Sequence, residues 1–86
     1  MTSHCAEIDR RLHDILRERF SLDIPAERNG ENLLGRDIGL TPNLLVYLVY
    51  IAEQEFDMRF APEDFDREAF YTLEGFVSIV AERMRQ

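Results

Sequence analysis

Apolar residues recur at helical spacing at both ends of the chain. The first segment has Ile8, Leu12, Ile15, Leu16 and Phe20. The last segment has Leu73, Phe76, Val77, Val80 and Met84, with Ile79 beside this stripe. Residues three and four positions apart share one face of a helix, so both patterns indicate amphipathic helices. The spacing predicts a first helix over roughly residues 4–20 and a last helix that begins after Thr72, a suitable N-cap residue.

A strong helix start signal lies near the middle of the chain, at Thr41-Pro42. The threonine hydroxyl can accept from a free backbone amide, and proline has no N–H to leave unpaired in the first turn. The apolar run from Leu44 to Ala52 is rich in valine and tyrosine and would also suit a buried strand. It continues into Glu53-Gln54-Glu55 and is longer than a typical strand, so we predict a helix over roughly residues 42–56.

Two connections join these helices. Residues 21–36 contain Pro25, Asn29, Gly30 and Gly35, which predicts a long ordered loop with a short helical turn around residues 31–34. Pro62 begins a second pattern, in which Glu63 and Asp64 occupy the positive end of a short helix and Phe65 points inward. This short third helix is expected to end near Phe70.

The resulting architecture is all-α, a bundle of three main helices plus one short helix, with a long loop between helices one and two. At 86 residues the chain is long enough for one small domain, which we assign to residues 1–86. Its composition, 45% hydrophobic and 31% charged, is that of a chain that folds.

The charge is strongly acidic: 17 Asp and Glu against 10 basic residues, all of them arginine, for a net charge of −7. Such a field repels phosphate backbones and anionic lipid, so nucleic acid and membrane are not expected partners, whereas basic protein surfaces are. The single cysteine, Cys5, cannot form an internal disulfide, and no signal segment or membrane span is evident. We therefore expect a cytoplasmic protein.

Motifs for metal, nucleotide or catalytic chemistry are missing from the sequence. It contains no CxxC or HExxH pattern, no phosphate-binding glycine loop and no calcium loop. His4 and His13 are expected on the surface, because nothing completes a tetrahedral site around them. The acidic residues are spread over helix surfaces instead of forming a carboxylate pair in a cleft. We therefore predict no metal site and no enzymatic activity.

The second helix presents apolar residues on its outer side. With Leu48 at the centre of the buried face, a step of about 100° per residue sends Val46, Tyr50 and Glu53 to the opposite side, with Tyr47 flanking. The buried side then consists of Leu44, Leu45, Ile51 and Ala52, while Asn43 lies outside and Val49 flanks. Either the preceding loop folds back over the outer residues, or they form an exposed patch for a partner.

Several motifs together resemble an acyl carrier protein over nearly the whole chain. They are Leu34-Gly35-Arg36-Asp37, the capped helix that follows, Glu53-Gln54-Glu55-Phe56-Asp57 and Ala61-Pro62-Glu63-Asp64. The resemblance implies a helix, a long loop, a second helix that carries the attachment motif, a short third helix and a final helix. The stretch Ile38-Gly39-Leu40-Thr41-Pro42, followed by Leu44-Leu45 and Tyr47-Leu48, is similar to acyl-carrier-related proteins of bacterial peptide-maturation systems.

The chain departs from this family at the attachment position. The family carries phosphopantetheine on a serine directly after the aspartate, and here Asp37 is followed by Ile38. Alignment on Phe56 instead places Thr41 there, and capping alone explains a threonine at that position. The serines Ser3, Ser21 and Ser78 lie outside the motif. The acidic side chains that the family presents on its second helix are replaced by Val46, Tyr47, Val49 and Tyr50.

We interpret the chain as a non-catalytic, carrier-like domain that docks onto a biosynthetic or peptide-modifying enzyme, as a monomer or weak dimer and without a cofactor. The predicted partner-binding residues are Asp37, Gly39, Leu40, Thr41, Val46, Tyr47, Tyr50 and Glu53. One alternative is an acyl or peptidyl carrier with phosphopantetheine on Thr41. Another is a self-associating module in which Tyr47 and Tyr50 of two copies pack across a two-fold axis.

Overall fold

The computed structural model describes residues 3–36 and 38–84, and its three α-helices contain the apolar stripes of the sequence. They are α1 (Ser3–Phe20), α2 (Pro42–Phe56) and α3 (Leu73–Met84). Within the described residues the fold is all-α, as predicted, and the bounds of α1, α2 and α3 match the expected ones closely. None of the helices in this part of the chain is both long and apolar enough to cross a membrane.

The core lies where the three helices meet. α1 packs against α3, and α2 contacts α3 less extensively. The fully buried side chains at the centre include Leu12, Leu16, Leu48, Phe76 and Val80, each of which comes from a predicted helix stripe. At the ends of their stripes, Phe20 is half-buried and Met84 keeps 39% of its surface exposed.

The long loop between α1 and α2 is held in place by backbone hydrogen bonds. The Leu33 N–H donates to the Tyr71 carbonyl (2.6 Å), and the Glu74 N–H donates to the Asn29 carbonyl (2.9 Å). The helical turn predicted around residues 31–34 is absent from the described loop, and a 3₁₀ turn lies at Ala26–Arg28 instead. The reason is that the Leu33 amide is used by Tyr71 while the Asn32 side chain accepts from the Leu34 N–H (2.8 Å).

The connecting segment, residues 57–72, contains two 3₁₀ helices, Pro62–Asp66 and Glu68–Tyr71, in place of the predicted short α-helix. Arg67 is extended between them (φ −85°, ψ 135°), which prevents one continuous helix. Two side chains of the connecting segment also differ from the prediction. Asp64 is fully buried, whereas Phe65, expected to point inward, keeps 39% of its surface exposed.

Candidate docking surface

The outer face of α2 holds the most exposed large apolar side chains in the described part of the chain. Val46, Tyr50 and Tyr47 keep 70%, 59% and 46% of their surface exposed. The opposite side of the helix buries Leu45, Leu48, Ile51 and Ala52, as predicted, whereas Leu44, also predicted on that side, is half-buried. The loop before α2 leaves Val46 and Tyr50 exposed, which excludes the alternative that it folds back over this face.

An apolar groove of about 350 Å³ runs beside Val46. It is formed where the start of α2 meets the connecting segment and the end of the long loop. Its lining is aliphatic and aromatic, with one proline: Leu34, Pro42, Leu45, Val46, Val49, Phe65, Phe70 and Tyr71. Because these residues come from three separate stretches of the chain, helical periodicity alone does not reveal the groove.

The two exposed tyrosines of α2 lie on the other side of Val46 and line a smaller depression of about 240 Å³. Tyr47 packs edge-on against Phe20 of α1, with ring centroids 5.6 Å apart. Arg11 of α1 donates from Nε to Glu55 Oε2 (3.0 Å), near the end of α2. These two contacts join α2 to α1 beside the exposed tyrosines.

The start of α2 forms one end of this surface. Thr41 is the N-cap: its exposed Oγ1 accepts from the Leu44 N–H at 3.2 Å. Gly39 has a φ of +80°, in the left-handed region that favours glycine, and is also exposed. Asp37, which was predicted to contact a partner, lies outside the described residues.

Two predicted partner-binding residues have structural contacts instead of a free outward side chain. Leu40 is buried in the core, so its side chain is not available at the surface. Its N–H donates to the Leu33 carbonyl (3.0 Å). Glu53 is half-buried, and its Oε2 accepts from the Phe60 N–H (3.1 Å). That bond ties the end of α2 to the connecting segment, which gives Glu53 a clear role in the fold.

The sequence interpretation missed a buried ion pair between Asp64 and Arg83. Arg83 Nε lies 2.9 Å from Asp64 Oδ2, and its terminal nitrogen lies 2.7 Å from Oδ1. The Ala61 N–H also donates to Oδ2 (2.8 Å). The hydrogen bond from Arg83 is the main cause that lowers the pKa of the Asp64 carboxyl, and it outweighs the opposing effect of burial. The pair attaches the connecting segment, and with it one wall of the groove, to α3.

The described residues contain no cluster of three or more His, Cys, Asp or Glu side chains arranged to hold a metal ion. Cys5 is exposed, and His13 approaches Asp9 at 3.4 Å along α1. What the surface offers is burial of apolar groups, together with the hydroxyls of the exposed residues Thr41, Tyr47 and Tyr50.

Comparisons with known proteins give no match, whether to a family model, to a curated protein or to a solved structure. None of these comparisons supports the resemblance to acyl carrier proteins.

Proposed function

We propose that this chain is a non-catalytic docking domain, similar to an acyl carrier protein, that binds a biosynthetic or peptide-modifying enzyme. The observation that carries the proposal is the exposed outer face of α2, where Val46, Tyr47 and Tyr50 lie beside an apolar groove. Exposed apolar surface of this kind is unfavourable in water and is typical of protein interaction sites. Tyrosine is especially suited to such a site because it offers a large contact area and a polar tip.

The acyl-carrier-like fold belongs to this proposal. Its support is the order of elements along the chain: a helix, a long loop, a capped helix, a short 3₁₀ region and a final helix. The missing serine after Asp37 and the apolar outer face of α2 both favour docking over carriage of a covalently attached group.

The docking role can be tested with a photo-reactive benzoylphenylalanine placed at Tyr50 or at Val46 in the cells that naturally make the protein. The matched control is Ser78, an exposed position on α3. We expect heterologous adducts from the two α2 positions and none from Ser78. Equal adducts from all three positions, or none at all, would contradict docking through α2.

A working carrier modified on Thr41 is the second candidate. The observation that favours it is the exposed Thr41 hydroxyl at the start of α2, where the resembling family has its serine. In this case Thr41 would be both the N-cap and the attachment point for phosphopantetheine. Covalent modification that depends on Thr41 distinguishes the carrier from the docking domain.

Self-association through Tyr47 and Tyr50 is the third candidate, and the exposure of both rings favours it. Gel filtration over a concentration series tests this candidate. A concentration-independent monomer rules it out, and an adduct of twice the chain mass from the Tyr50 photo-crosslink would support it.

A further inference from the structure

We propose that the apolar groove receives one large apolar side chain from a basic amphipathic helix of the partner. This inference rests on the proposed docking function and specifies the chemistry of the partner. It combines the size and lining of the groove, the absence of a usable strand edge among the described residues and the sign of the charges close to Phe65 in the chain.

The groove is the right size for a side-chain anchor. Its volume of about 350 Å³ is at the small end of the range for ligand pockets, which suits one or two side chains of a larger partner. Leu34, Val46 and Phe65 line it and remain partly exposed, so an apolar side chain in the groove would remove their surfaces from water together. A central apolar anchor in a pocket is the usual source of binding energy in protein interfaces.

The backbone arrangement favours a helical partner over an extended one. An extended peptide gains affinity by adding a strand to a free sheet edge. Over residues 3–36 and 38–84, the extended pairing consists of a single bridge, Asn32 with Thr72. A helix needs no such edge, because its own backbone hydrogen bonds are internal and its apolar face supplies the anchors.

The charges beside the groove select a basic partner. Glu63, Asp66 and Glu68 are all exposed and lie within three residues of Phe65 in the chain. The nearby cation Arg67 is engaged by Glu82, at 3.3 Å. This wall therefore attracts arginine or lysine side chains that flank the anchor.

The part of the groove lining that comes from the long loop has a cation close to it in the sequence. The exposed Arg36 follows the lining residue Leu34 by two positions. The partner's basic residues are accordingly expected on the side of its helix that faces the connecting segment, and Arg36 offers a matched control position.

The groove wall is held in position before any partner arrives. The Tyr71 hydroxyl donates to the Phe65 carbonyl (2.9 Å), and the Asp64–Arg83 pair fixes the same segment to α3. Phe65 also packs edge-on against Phe70, with centroids 5.0 Å apart. A wall ordered in this way loses little conformational entropy on binding.

The test uses the full chain labelled with ¹⁵N and three synthetic helical peptides of equal length. The first has an apolar stripe flanked by arginine, the second has the same stripe flanked by glutamate, and the third keeps the arginines but has serine in place of the stripe. We expect the first peptide alone to shift the amide signals of Leu34, Val46, Val49 and Phe65. In the chain, the combined change Glu63→Gln, Asp66→Asn and Glu68→Gln should weaken its binding about tenfold, whereas Arg36→Gln should not weaken it.

Each other result overturns the proposal in a distinct way. Equal binding of the serine peptide would mean charge attraction without an anchor, and equal binding of the glutamate peptide would mean that charge does not select the partner. Groove signals that shift when the peptide-free chain is diluted would mean that a second copy occupies the groove. If none of the peptides binds while photo-crosslinks still form at Tyr50, this inference fails and the docking function stands.

Discussion

Arg83 of α3 holds the buried carboxylate of Asp64 at two points, with nitrogen-to-oxygen distances of 2.9 and 2.7 Å. Because Asp64 belongs to the connecting segment, this pair joins the groove wall to the helix core. A buried carboxylate needs such partners, since removing its charge from water is otherwise strongly unfavourable.

Replacing Asp64 with asparagine should therefore destabilise the fold. Asp64→Asn removes the charge from a fully buried group whose oxygens accept from Arg83 and from Ala61. We expect a loss of about 1–3 kcal/mol in the free energy of unfolding, measured by urea denaturation. The control is Asp66→Asn, an exposed carboxylate two residues later, for which the change should stay within about 0.5 kcal/mol. Equal effects of the two substitutions would contradict the structural role of the pair.

The same pair predicts how stability depends on pH. The pKa of Asp64 is lowered in the folded protein, so its contribution is present above the ordinary aspartate pKa of about 3.9. That contribution is lost as the pH falls below this value toward the lower folded-state pKa. The test is urea denaturation of the unsubstituted chain and of Asp64→Asn between neutral pH and about pH 2.5. The difference in free energy of unfolding between the two proteins should become smaller as the pH falls. A difference that stays constant over this pH range would contradict a lowered pKa of Asp64 in the folded protein.

The two faces of α2 predict opposite effects of side-chain truncation. Leu48 is fully buried, so Leu48→Ala should cost about 2–5 kcal/mol of unfolding free energy. Tyr50 is mostly exposed, so Tyr50→Ala should change stability by no more than about 0.5 kcal/mol. Thermal and urea denaturation of both variants measure the difference. A large loss of stability at Tyr50 would mean that its ring supports the fold and is not reserved for a partner.

Gly75 of α3 is expected to resist substitution even though alanine favours helices. A Cβ at this position would lie 2.0 Å from the Ala69 carbonyl oxygen, so the connecting segment would have to move. We expect Gly75→Ala to destabilise the chain by about 1–3 kcal/mol, which outweighs the gain of about 1 kcal/mol in helix propensity. Ser78→Ala, at an exposed position of the same helix, serves as the control and should be nearly neutral. A stabilising Gly75→Ala would show that the close approach is not required.

The sequence was sufficient to predict the three α-helices and the orientation of α2, because local rules govern both. Thr41 and Pro42 mark the start of α2, and the helical step around Leu48 separates its buried side from its exposed side. These features depend on residues within a few positions of each other. They were therefore visible without knowledge of the tertiary contacts.

The remaining features depend on contacts between distant residues. An acidic residue near a helix start is usually solvated, so nothing in the periodicity indicated that Asp64 would be buried against Arg83, 19 positions later. Leu40 and Glu53 likewise make contacts that the helical pattern does not indicate. The Leu40 N–H donates to the Leu33 carbonyl, and the Glu53 carboxylate accepts from the Phe60 N–H. The groove was hidden for the same reason, since Leu34, Val46 and Phe65 meet only in the folded chain.

The most direct test of docking against covalent carriage is the intact mass of the chain after co-expression with a permissive phosphopantetheinyl transferase. A Thr41→Ala variant serves as the control. If the chain is a docking domain, the unsubstituted chain and the Thr41→Ala variant should both have an unmodified mass. A mass gain of one phosphopantetheine that disappears in Thr41→Ala would contradict it and identify Thr41 as a displaced attachment site.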